Sequence, residues 1–154
     1  MNDRLYSVKS FSVVKFQNLI SLKYIIACLS LFYLVACHAG KTFDKAEDAQ
    51  DAGRQFIRAS LDGDYEKARF YLLSDSVNNL LITKWQQGFD KMDRETRQQY
   101  REANILPINI HAINDSITSY TFSNSFRKDT TTLRIVRING EWLVDLKEIL
   151  NNKH

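Results

Sequence analysis

The chain has 154 residues, with 21 Lys and Arg against 18 Asp and Glu, three histidines and two cysteines, which supports one domain of ordinary size and excludes a disulfide scaffold. Its formal charge of +3 comes from the first 36 residues, where Arg4, Lys9, Lys15 and Lys23 face Asp3; the remainder holds 17 bases and 17 acids. A neutral remainder lacks the basic footprint of a nucleic-acid-binding domain, so no nucleic-acid partner is expected.

From Tyr24 to Ala36 the chain carries no charge and follows a basic flank, the layout of a secretory signal peptide. The run is shorter than the roughly 20 apolar residues a spanning helix needs, so cleavage is expected. Leu34-Val35-Ala36-Cys37 resembles the lipobox of bacterial lipoproteins: an aliphatic residue, a small residue just before the cysteine, then the cysteine itself. The resemblance implies that the Cys37 thiol receives a diacylglyceryl group, that a peptidase cuts after Ala36 and that the new amino group is acylated. The alternative is an ordinary signal peptide cut before Lys41, after the short run His38-Ala39-Gly40. The expected domains are a leader over residues 1–36, a lipidated tether over 37–42, a folded domain over 43–147 and a polar tail over 148–154. His38 after the cysteine points, by the resemblance, to the periplasmic side of the outer membrane.

Apolar residues at three- and four-residue spacing predict a helix from Phe43 or Asp44 to Leu61, with Ala49, Ala52, Phe56, Ile57, Ala59 and Leu61 inward. Asp44, Glu47, Asp48 and Asp51 crowd its start, where the helix dipole favours carboxylates. Gly63 ends it, and Asp64 caps a short second helix that brings Ala68, Tyr71 and Leu72 to the core. After the break at Ser74-Asp75-Ser76, Leu80, Leu81, Trp85, Gly88, Phe89 and Met92 predict a third helix; Asp93 to Ala103 continues it or forms another. Lys91, Arg94, Arg97 and Arg101 form a basic stripe, read as a solvated face balanced by Asp90, Asp93, Glu95 and Glu102.

At Pro107 the period changes from helical to alternating. Strands are predicted around Ile108–Ala112, around Tyr120–Phe126, over Thr130–Ile138 and over Glu141–Leu146. Asn139-Gly140 is a strong hairpin signal, because both central positions of a type I′ turn need positive φ. Helices first and an antiparallel meander second make an α+β domain.

Phe56, the corner Leu61-Asp62-Gly63-Asp64-Tyr65-Glu66-Lys67-Ala68 and the hairpin Asn139-Gly140-Glu141-Trp142-Leu143-Val144-Asp145 resemble the nuclear-transport-factor-2-like (SnoaL-like, cystatin-cone) superfamily. The resemblance is to the small envelope lipoproteins of Gram-negative bacteria that carry such a domain. It implies N-terminal helices packed on a curved, cone-like sheet of about four antiparallel strands, enclosing a pocket for a small apolar molecule. The lining residues expected on that basis are Trp85, Phe89, Tyr120, Phe122 and Trp142, although such aromatics also serve as plain core.

No Gly-rich phosphate loop, nucleophile elbow or zinc-spaced cysteine pair is present, and His38, His111 and His154 are scattered, so no cofactor, metal site or catalytic residue is assigned. Three functions follow as expectations. The first is a membrane-tethered, non-catalytic binding or accessory module for a small apolar ligand or an envelope protein. The second is a small isomerase or dehydratase of the cone type, with Asp90, His111 or Asp145 as general base and Tyr120 as a further candidate. The third is an assembly protein using an open sheet face or the basic stripe.

Overall fold

The computed structural model describes residues 41–151, and a compact unit begins at Phe43. Leu34, Val35, Ala36 and Cys37 lie outside the described residues. Within them the chain forms α1 (Ala49–Asp62), α2 (Tyr65–Phe70), α3 (Ser76–Asp90), α4 (Arg94–Glu102), β1 (Ile105–Asn114), β2 (Ile117–Asn124), β3 (Thr131–Ile138), β4 (Glu141–Asp145) and α5 (Glu148–Asn151).

Four aspartates set the helix starts. Asp48, Asp64, Asp75 and Asp93 each accept a backbone N–H three residues on, from Asp51, Lys67, Asn78 and Thr96. Each satisfies a donor that the first helical turn leaves open. The cap at Asp48 starts α1 later than the alternation of apolar residues suggests, and the cap at Asp93 makes α4 a separate helix. Gly63 closes α1 in the left-handed region at φ 76°, where its N–H reaches the Ala59 and Ser60 carbonyls.

The sheet is antiparallel, in the order β1-β2-β3-β4. Asn139 and Gly140 both have positive φ, 52° and 83°, as the tight β3–β4 hairpin requires. Helix α1 lies across the middle of the sheet, burying Ala49, Ala52, Phe56, Ile57, Ala59 and Leu61 against Tyr120, Leu133, Ile135 and Val144. Gly53 permits the close approach: a Cβ there would sit 2.8 Å from Ile135 Cδ1 and 2.9 Å from Tyr120 Cδ2. In α3 the inward residues are Asn78, Ile82 and Phe89, whereas Leu80 is exposed. Where a fraying tail was expected, α5 adds a helical turn whose Ile149 packs against the core.

The domain is α+β, but the expected cone is not formed. The sheet is open and uncurled, and nine of the ten residues of β1 are exposed. Strand β1 is an outer strand of the sheet, and α1 approaches it without burying it. Its partner edge is treated differently: Val144 of β4 exchanges backbone hydrogen bonds with the segment after α2, Leu73 N to Val144 O at 2.9 Å and Val144 N to Tyr71 O at 2.8 Å. One edge is covered and the other is open.

Candidate functional site

The C-terminal half of α1, the start of α2, the end of α3 and the β2–β3 turn surround a cleft of about 570 Å³. Phe56, Ile57 and Leu61 project from α1, Tyr65 from α2, Trp85 and Phe89 from α3, Met92 from the α3–α4 link, Tyr100 from α4 and Phe122 from β2. These positions recur at helical spacing on α1 and α3, which is why two helices can present one continuous apolar wall. Their rings pack in two groups: Phe56 and Trp85 at 6.0 Å between centroids, and Phe89 between Tyr65, at 6.0 Å edge-on, and Tyr100, at 6.5 Å. Gly88 lies in this wall, and a Cβ placed on it would meet no atom within 4 Å.

Polar groups gather at the β2–β3 turn. Asn124 is 8% exposed, and its Oδ1 accepts from Phe126 N at 3.1 Å and Arg127 N at 2.9 Å. Arg127 Nε pairs with Asp129 at 2.9 Å, and its Nη1 reaches the Tyr100 hydroxyl at 3.4 Å. The Tyr100 hydroxyl, together with Asp129, holds the Arg127 guanidinium more firmly in its charged form. Lys84, one turn before Gly88, completes the rim. Burial pushes the Tyr65 phenol up to about 12, with the Asp90 carboxylate adding to the effect.

The five aromatics expected in a pocket divide three ways. Trp85, Phe89 and Phe122 meet in the cleft. Tyr120 is 1% exposed beneath Gly53 and belongs to the core, with burial raising its pKa. Trp142 lies beside the opposite end of α1, next to Asp48–Gln50, with the Arg137 guanidinium 5.6 Å from its ring centre. Roughly two helical turns of α1 separate it from the cleft.

No family model, no curated protein and no solved structure matches the chain. The resemblance to nuclear-transport-factor-2-like domains and their envelope lipoproteins is thereby corrected, and the lipoprotein and outer-membrane labels that came with it lose that support. The residues behind it do local work that many folds require. Gly63-Asp64 is a left-handed helix end followed by a helix cap, and Asn139-Gly140 is a type I′ turn.

The residues considered as general bases lie elsewhere. Asp90 and His111 are exposed. Asp145 is 4% exposed and accepts from Asn78 Nδ2 at 3.2 Å and Lys147 N at 3.2 Å. The same Asn78 donates to Asp75 at 2.9 Å and accepts from Leu146 N at 2.8 Å, so this buried cluster fastens the start of α3 to the end of β4. Among the described residues no group of three His, Cys, Asp or Glu side chains is placed to hold a metal, and no helix is long and apolar enough to cross a membrane. Asn124, Arg127, Lys84 and Gly88 were not legible as site residues because none belongs to a motif; the Asn that opens the turn at 125–127 was the one available signal.

Proposed function

We propose that this domain is a non-catalytic binding module of the cell envelope, taking a small apolar ligand into the cleft beside Gly88 and tethered to the membrane through Cys37. The observation that carries the reading is an aromatic and aliphatic wall around a volume within the range of small-molecule sites, with a few polar groups in its lining, several of them at the β2–β3 turn. Core aromatics normally fill their space; here Trp85 and Met92 stay partly exposed and Gly88 leaves room. The candidate bases Asp90, His111 and Asp145 do not line this cleft. The tether rests on the apolar run and the Leu34–Cys37 pattern.

Two experiments test the two halves separately. The full chain should enhance the fluorescence of the neutral probe N-phenyl-1-naphthylamine, and a folded Gly88→Leu variant should not; equal enhancement by both would remove the cleft as the binding site. Cys37→Ala should shift the protein out of the membrane fraction; unchanged fractionation would remove the anchor.

A further inference from the structure

The cleft is apolar along much of its wall, and its lining also carries hydrogen-bond donors that are unspent. Asn124 is more than nine-tenths buried; with Oδ1 committed to two backbone N–H groups, its Nδ2 has no partner among the described residues. The two bonds to Oδ1 also fix which end of the amide is the donor. Arg127 has used Nε and Nη1, and its Nη2 has no partner among the described residues. Lys84 forms neither an ion pair nor a hydrogen bond among them. The Tyr65 hydroxyl at the α2 side is likewise without a hydrogen-bond partner there.

Among the described residues the one fully buried side-chain nitrogen or oxygen without a partner is Arg58 Nε, so the Asn124 amide nitrogen stays accessible, as a group that meets a ligand must be. Asp129, the one carboxylate in the lining, is already taken by Arg127. The lining therefore holds two cations and one anion, a net single positive charge. A monoanion matches that charge; a dianion would leave one negative charge uncompensated.

Resting on the reading of the cleft as an apolar binding site, we infer that its ligand is a single-chain amphiphile with a carboxylate head. The chain lies along Phe56, Leu61, Trp85 and Phe89 and over Gly88. The carboxylate accepts from Arg127 Nη2, Asn124 Nδ2 and Lys84. An acyl chain suits this wall because it is narrow and flexible, and because its burial needs no polar partner beyond the head.

The test compares two compounds that differ only in the head: 11-bromoundecanoic acid and 11-bromoundecanol, whose bromine quenches tryptophan on contact. The full chain carries two tryptophans, Trp85 and Trp142, so a Trp142→Phe background leaves Trp85 as the reporter. The protein is held in phosphatidylcholine nanodiscs at pH 8. The acid should quench Trp85 at about tenfold lower concentration than the alcohol, as expected for charge-assisted hydrogen bonds. Lys84→Gln and Arg127→Gln should each move the acid toward the alcohol and leave the alcohol unchanged, while Gly88→Leu should weaken both. Equal quenching by acid and alcohol, unaffected by Lys84→Gln or Arg127→Gln but weakened by Gly88→Leu, would overturn the carboxylate head and keep the apolar cleft. No quenching by either compound would overturn both.

Discussion

Asn78 shows how much structure can rest on one side chain. It is fully buried, and its amide serves Asp75, Asp145 and the Leu146 N–H. Asn78→Ala would strand the Leu146 donor and remove a donor from a buried carboxylate, and should cost about 2–3 kcal/mol in urea unfolding. Acid should weaken the same corner. The Asn78 backbone N–H, followed by the Lys147 ammonium, holds the Asp75 carboxyl below its ordinary value, so its contribution is present above the unfolded value of about 3.9 and is lost as pH falls through the lower folded value. Tyr65 acts at the other extreme. Its buried phenol is raised to about 12, so its contribution holds below the unfolded value of about 10 and is lost as pH rises toward 12. Denaturation midpoints at pH 9 and pH 11 should therefore differ, and Tyr65→Phe should reduce the difference. At this scale the sequence reading recognised Trp85, Phe89 and Phe122 as wall-forming types but could not separate them from Tyr120 and Trp142. Alternation tells which side of a strand a ring occupies, not which end of a crossing helix it meets.

Two glycines in helices mark the element scale, and they predict opposite outcomes. Gly53→Ala must push a methyl group into Ile135 and Tyr120, so overpacking should outweigh the helix-propensity gain and cost about 1–2 kcal/mol. Gly88→Ala adds a methyl group into open space and should raise stability by about 0.5–1 kcal/mol in the same assay. A helix-interior glycine with nothing to avoid is unfavourable for stability, and the room it leaves lies in the cleft. Strand β1 sets the other element-scale problem. Leu106, Ile108, Ile110 and Ile113 are exposed on an edge strand with no charged residue. Pro107, which lacks an N–H, and the irregularities at Pro107/Asn109 and Ala112/Asn114 are the devices that discourage edge pairing. Pro107→Val should accordingly increase self-association in sedimentation velocity, and Ile108→Lys should suppress it. The Asp64 cap and the β3–β4 hairpin were legible because an aspartate cap and Asn139-Gly140 act locally, whereas the Asp48 cap was hidden by apolar residues that keep helical spacing before it. The exposure of β1 was not legible, because its apolar alternation reads like that of a half-buried strand whether or not a layer lies over it.

For the whole molecule, the order of periods along the chain conveyed the α+β class, and helices of one segment do cover the sheet of the next. Closure into a cone is a property of sheet curvature and register. Those depend on bulge positions and on which strands the helices reach, and no single motif encodes them. The outcome is a cleft at one end of α1 and not inside a barrel. Placement of the two tryptophans turns this arrangement into an internal control: Trp85 lines the cleft and Trp142 lies near the far end of the same helix. The most direct measurement is an NMR titration following both indole N–H signals while 11-bromoundecanoic acid is added to the full chain. A saturable shift of Trp85 with Trp142 stationary is the result expected of a binding module built around this cleft. A shift of Trp142 alone, or no saturable shift of Trp85, would contradict it.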